Sequence, residues 1–322
     1  MYFNQNNNFY HGIMFHHFHD DGIHTKGQGS IDKDDFYKMI NFIGRNNILD
    51  ADVFYEKFKN NKLKNNEVCL TFDDAIKCQI DIALPILEEL KIKSFFFVYT
   101  SMFQGKPDNL EFFRYFRMNY FKSVDEFYDS FYEVLDKDLK SFFEKNSDKI
   151  KEYKIKFPHY SISDIKFRLV MDVFLTKVQY EDTMFSMFKE KQFNHNEYSK
   201  KLFFQKNDLQ TLDNLGHSVG LHSHNHPTLL EKLSYDEQKG EYENCLSSIS
   251  NILDKPKNEI KCMSHPCGSY NADTLEILKE LGIELGFKQI MSIEPEKGMK
   301  KINNSFLEIA RQDHADIFKR MN

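Results

Sequence analysis

Short, uninterrupted apolar runs separated by helix-like segments constrain this chain more than any other feature. The clearest is Ser94 to Tyr99, where Phe95-Phe96-Phe97-Val98 leaves no polar position for a wet face. A strand with one solvated side alternates, whereas a continuous run is what a parallel strand covered on both faces requires. Val68 to Phe72 and Ser218 to Leu221 also read as apolar strands, and Ile260 to Ser264 and Ile283 to Phe287 as further strands. Helix signals fall between them. Pro85 fits the first turn of a helix to Leu90, with Ile86, Leu87 and Leu90 inward. Asp208 to Leu215 is a short helix ended by Gly216. Ser234 caps a long helix to about Leu253, with Pro256 beyond it, and Asn271 caps one carrying Leu275, Leu278 and Leu281, closed by Gly282. Upstream, Gly12 to His16 reads as a strand, and Ser30 as the cap of a helix from about Ile31 to Arg45 with Phe36, Met39, Ile40 and Ile43 on one face. Strands alternating with helices imply a parallel sheet.

Two of the runs end in chemistry. Leu70-Thr71-Phe72 leads into Asp73-Asp74, two adjacent carboxylates whose repulsion must be relieved by a cation or a proton. The C-terminal end of a strand is where α/β folds place reacting groups. One Asp on a divalent metal, with the other free to take a proton, would settle the charge; an Asp-Asp turn is the plain alternative. The run ending at Leu221 leads into His222-Ser223-His224-Asn225-His226, three histidines in five residues. Neutral imidazoles suit Zn²⁺ or a similar borderline metal, and His222 and His226 are spaced so that one turn of chain brings both rings to one ion. Asp74 with the two histidines makes a set with open positions for water, as in catalytic sites; a surface cluster without metal is the alternative.

Thr71-Phe72-Asp73-Asp74, His222-Ser223-x-x-His226 and Pro266-Cys267-Gly268 resemble, in order, the first three motifs of the polysaccharide deacetylases, carbohydrate esterase family 4 or the NodB-homology family. Ile13-Met14-Phe15-His16 is similar to the family's first strand, Ser30 to Ile43 to a helix found in the branch with an N-terminal extension, and Leu84 to Thr100 to its first crossover and second strand. The resemblance spans residues 11–103 and 207–314, and its third motif is degraded. It implies a distorted (β/α) barrel with fewer than eight complete units and a helical insert.

The resemblance also implies roles. Asp74, His222 and His226 would hold Zn²⁺, or another divalent transition metal such as Co²⁺, Ni²⁺ or Mn²⁺. Such an ion acidifies water and polarises an amide carbonyl. Asp73 would accept the water's proton. The backbone N–H of Cys267, where the family usually has Tyr, would donate to the oxyanion, since any residue but Pro carries that donor. The family's Arg in the third motif would fall at Ser264 and is missing, so Arg311 is the candidate to steady Asp73. His314, in Leu307 to His314, is the nearest match to the late His that protonates the leaving amine. His16, Pro266 and Tyr270 are expected at the substrate. His224 is not expected to be a ligand, because the family spacing uses the outer two histidines. Ala75 sits where the family usually has Gly, so its turn must avoid positive φ or tolerate strain, and Ala75 to Asp81 reads as a loop.

The remaining stretches narrow the alternatives. His16, His17, His19, Asp20 and His24 could be read as a second metal site, but the family's metal set lies elsewhere. Lys26-Gly27-Gln28-Gly29-Ser30 lacks phosphate-loop spacing. Residues 1–103 and 206–322 read as the two parts of the barrel, and 104–205 as a helical insert rich in Phe, Tyr and Lys with a break near Pro158. That insert would cap the barrel, or serve as a lid, an acceptor-binding surface, or the face for a homo-oligomer or glycan-assembly partner, since aromatic-rich surfaces often bind. A net charge of −6 with both signs interspersed argues against nucleic acid. The five Cys at irregular spacing suggest reduced thiols. Met1 to His11 is Asn-rich and polar, without a secretory signal's apolar core, and no run is long enough to span a membrane, so a cytoplasmic location is expected. With 41% hydrophobic residues the chain has ample core for one large domain or a domain plus insert.

The function these residues imply is metal-dependent removal of an N-acetyl group from an amino sugar of a surface polysaccharide or its precursor. A catalytically weak, sugar-binding member of the family, or an N-deformylase on a lipid-linked amino sugar, is the alternative.

Overall fold

A computed structural model of the protein describes residues 9–27, 29–156, 160–289 and 303–321. The expected break near Pro158 and most of the Asn-rich N-terminal stretch lie outside the described residues. Among the described residues, seven parallel strands form the sheet: β1 Gly12–Phe15, β2 Cys69–Phe72, β3 Phe95–Val98, β4 Ser218–Leu221, β5 Cys262–Ser264, β6 Leu285–Phe287 and β7 Arg311–Asp313. Their order is β6-β5-β4-β3-β2-β1-β7. The segment before β7 nearly closes the ring. Phe287 bridges Ile309 in parallel, the Gly286 N–H donates to the Phe306 carbonyl, and the Lys288 N–H donates to the Ile309 carbonyl. The result is a distorted (β/α) barrel.

The apolar runs become strands because both of their faces are covered. Phe95 and Phe97 share one face of β3 and pack in a buried cluster with Phe54, Cys69, Cys262, Leu285, Phe287 and Ile309. Phe96, on the other face, stacks on Phe72 at 4.7 Å between ring centroids. Full burial of each such side chain contributes roughly 1.5–3 kcal/mol, so a polar residue anywhere in the run would be costly.

Helix ends follow the capping residues with some corrections. Ser234 caps Tyr235–Leu253 and Asn271 caps Ala272–Glu280, each through a reciprocal box with the third helical residue. Leu278 is buried, whereas Leu275 and Leu281 are only half-buried, and Ile277 takes the buried place beside Leu278. The early helix is Lys33–Ile43, and its cap is Asp32, which accepts from the Asp35 N–H, rather than Ser30. The Ser30 hydroxyl closes its own loop on Gly27 instead. The stretch after Asp74 is not wholly a loop: Gln79–Ala83 is a π-helical turn running into the helix Leu84–Glu89. Ala75 takes the strained option, with φ at 52°.

The chain divides into two compact units, one drawing on Met1–Asp108 and Lys200–Asn322 and the other Asn109–Ser199. The second unit is helical, and its rings pack on one another. Phe116 meets Phe188 at 4.6 Å, Tyr128 meets Phe167 at 4.6 Å, and Phe112, Phe113, Phe127 and Phe131 are buried with them. These buried rings form this unit's own core. No helix among the described residues is long and apolar enough to cross a membrane.

Candidate active site

Parallel strands deliver all their C-terminal ends to one edge of the barrel, and the polar residues gather there. Asp73 and Asp74 follow β2, His222 follows β4, Ser264 ends β5 and His16 follows β1, while Arg311 stands at the start of β7 and its side chain reaches Asp73.

Asp74, His222 and His226 each present one ligand atom, and these atoms lie within 4.8 Å of one another. His222 Nε2 is 3.1 Å and His226 Nε2 3.3 Å from Asp74 Oδ1. The opposite ring nitrogens are committed elsewhere, which leaves the Nε2 atoms to face inward. His222 Nδ1 meets the Ser264 hydroxyl at 2.7 Å and the Ser264 carbonyl at 3.0 Å, and His226 Nδ1 meets Asp108 Oδ2 at 3.1 Å. His224 turns away: its Nδ1 meets the Thr100 hydroxyl at 2.8 Å. Glu241 accepts from the backbone N–H groups of His224 and Asn225 and pins the loop between the two inward histidines.

The backbone is bent hard to do this. Asp74, Ala75, Ser223, His226 and Cys267 all have positive φ. Each non-glycine residue held there costs on the order of 1–3 kcal/mol, a cost found where surrounding structure imposes it.

Electrostatically the three groups are strongly coupled. Burial pushes the Asp74 carboxyl up, but the imidazoles of His226, His16 and His222 outweigh it and hold the group well below the usual carboxylate range. Burial likewise lowers His226, while Asp74 and Asp108 on either side raise its imidazole well above its ordinary value. One carboxylate and two imidazole Nε2 atoms, converging from strand ends, fit a divalent transition metal with open positions.

Asp73 is almost fully buried. Burial pushes its carboxyl up, and the charges of Arg311, His222 and His16 bring it below the usual value. Arg311 binds it with two nitrogens, Nη1 to Oδ1 at 2.8 Å and Nη2 to Oδ2 at 2.7 Å. Arg311 also donates to the Thr71 hydroxyl and the Lys288 carbonyl. Gly12 on β1 makes room for it: a Cβ there would stand 2.7 Å from Arg311 Cγ. The buried Gln79 amide, in the π-helical turn, donates to the carbonyls of both Asp73 and His16.

The other expected residues are distributed as follows. His16 Nε2 is 3.8 Å from Asp74 Oδ2, on a partly exposed side chain. Cys267 is exposed in the turn Pro266–Gly268, behind the buried Pro266. Tyr270 stacks on His265 at 4.1 Å and its hydroxyl donates to Glu308, so that oxygen already has a partner. His314 is buried, with Nδ1 3.3 Å from the Met14 carbonyl and Nε2 2.7 Å from the Gly29 carbonyl. Both of its nitrogens are occupied by backbone, so a role in proton delivery to a leaving group does not follow from this placement. Asp108, Gln79 and Glu241 carried no signal in the sequence. Ser264 had been noted only as the place where an Arg was absent, and it is the residue that orients His222.

A sequence model described as polysaccharide deacetylase matches residues 60–115 and 126–286, more than half of the chain. The chain belongs to the polysaccharide deacetylase family. Solved structures of similar fold include a deacetylase from Streptococcus pyogenes, PplD, in complex with acetate, at 16% identity with a TM-score of 0.56, covering 98% of each chain. A de-N-acetylase from Aggregatibacter actinomycetemcomitans follows at 12% identity and 0.53, covering 97% of this chain and 99% of the other. IcaB from Ammonifex degensii has 10% identity and 0.52, covering 98% and 97%. At these identities the likeness establishes the fold. No curated protein sequence matches the chain.

Proposed function

We propose that this polysaccharide deacetylase family member is a metal-dependent N-deacetylase acting on an N-acetylated amino sugar of a surface glycan or its precursor. The observation that carries the reading is the convergence of Asp74, His222 and His226, with the neighbouring Asp73 paired to Arg311. Asp74, His222 and His226 would hold a Zn²⁺-like ion. The chemistry supplied by a bound ion is polarisation of the amide carbonyl and acidification of water. Asp73 accepts the proton of the attacking water at its carboxylate, and Arg311 keeps that carboxylate ionised and fixed in direction. The Cys267 backbone N–H donates to the oxygen that becomes negative. His16, an imidazole on the rim, is better placed than His314 to give the leaving amine its proton. Pro266 and the Tyr270 ring would form part of the sugar-binding wall.

The test is product release by purified protein loaded with Zn²⁺, Co²⁺, Ni²⁺ or Mn²⁺, against N-acetylated sugar nucleotides, lipid-linked sugars and oligosaccharides. Acetate release supports the reading. Formate release from an N-formyl sugar without acetate release would replace it with a deformylase. Sugar binding with no release under any metal would replace it with a binding role.

A further inference from the structure

We propose that Asp108 is a positioning residue of the metal centre and acts through His226. This rests on the metal-site reading above and extends it to a residue outside the motifs. Asp108 Oδ2 lies 3.1 Å from His226 Nδ1. A carboxylate can only accept here, so Nδ1 carries a hydrogen, and Nε2 is the nitrogen left to give its lone pair to an ion held with Asp74 and His222. The backbone that carries it is itself anchored: the Asp108 N–H donates to the Tyr99 hydroxyl at 3.0 Å, and the Tyr99 ring stands 5.5 Å from that of His226. Tyr99 follows β3 directly, so the position of Asp108 is set by the barrel.

The two imidazoles are backed differently. His222 leans on the neutral hydroxyl and carbonyl of Ser264, whereas His226 leans on a charge. A carboxylate behind an imidazole strengthens the donor nitrogen and fixes the ring plane. His226 has the greater need, because its backbone is left-handed with φ at 55° and its N–H is held by the Ser223 hydroxyl alone among the bonds observed. Asp108 thus makes His226 the stronger and better-aimed of the two nitrogen ligands.

The experiment compares the parent full-length chain with Asp108→Asn, Asp108→Ala and, as a control, His222→Ala. The readouts are Zn²⁺ affinity by chelator competition, the visible absorption of the Co²⁺-loaded protein, and thermal unfolding of the metal-free protein. Asp108→Ala is expected to lose about 10–100-fold in Zn²⁺ affinity. Asp108→Asn, which keeps a neutral acceptor oxygen, should lose less, and the Co²⁺ spectrum should change in both while metal-free unfolding stays near the parent. Unchanged affinity and spectrum in Asp108→Ala, with His222→Ala losing metal, overturns this proposal alone. Parent-like affinity in His222→Ala overturns the metal site and this proposal together. Equal losses in Asp108→Asn and Asp108→Ala that follow a drop in metal-free stability also overturn it, as a purely structural role would give that pattern. Should Asp108→Ala fail to fold, Asp108→Asn decides: a weakened affinity with a shifted Co²⁺ spectrum supports the proposal, and parent values for both overturn it.

Discussion

Arg311 grips Asp73 through both terminal guanidinium nitrogens, at 2.8 and 2.7 Å, across 238 positions of sequence. The two side chains are 1% and 2% exposed, so neither charge has water to fall back on. Removing one partner of such a pair costs about 3–5 kcal/mol, because the other is left buried and uncompensated. Arg311→Met should destabilise the protein by that order in chemical denaturation, and Asp73→Asn combined with it should recover a substantial part. Simple addition of the two single losses would mean that the pair is not an energetic unit.

Asp73→Asn alone leaves Arg311 uncompensated and should lower stability by the same order, but the folded protein should keep its metal and lose turnover by about 10²–10⁴-fold, since an amide cannot take the water's proton. Metal content is measured in the same samples as release rate. Near-parent turnover would move the base to another residue, and His16 is the nearest imidazole to Asp74 outside the ligand set.

His222→Ala should lose its divalent ion by elemental analysis while His224→Ala keeps it. The two residues differ by two positions, but one faces Asp74 and the other Thr100. Equal metal content in both variants would remove His222 from the ligand set.

Acid should weaken the fold through His265. This imidazole has no exposed surface, and burial lowers its pKa from the ordinary value of 6.5 to about 4. Between these two pH values the unfolded chain binds a proton that the folded chain refuses, so stability rises with pH across the window and is lost as pH falls from 6.5 towards 4. The contribution is about 3 kcal/mol if integrated over the whole window. His265→Gln should flatten the slope of denaturation midpoint against pH there. A slope unchanged from the parent would assign the acid sensitivity to other buried histidines such as His11, which burial also lowers to about 4.

The barrel was legible because its evidence is local. Phe95-Phe96-Phe97-Val98 announces a strand covered on both faces without reference to any partner, and Ser234 and Asn271 announce helix starts by their own side-chain chemistry. The family motifs carried Asp74, His222 and His226 for the same reason. What stayed hidden depends on where distant segments meet. Asp108 is an ordinary acidic residue until His226 arrives 118 positions later, and Gln79 looks like a loop residue until its amide bridges two carbonyls. Ser30 has the chemistry of a helix cap, but Asp32 stands next to the helix and accepts the bond from the Asp35 N–H. His314 matched a motif by position in the chain, and only the fold shows that two backbone carbonyls hold its ring.

The strand order has a consequence for how the protein is made. β1 lies between β2 and β7, so the barrel receives β7, with Arg311, only after the rest of the sheet has left the ribosome. During that interval Asp73 has been synthesised without its counter-charge, and burying it would be unfavourable. The nascent barrel therefore has reason to stay open on the side of β1 until Arg311 emerges. Docking of β7 then neutralises the buried carboxylate and closes the ring in one event, so a chain halted before residue 311 would lack both the seal and the charge balance around Asp73.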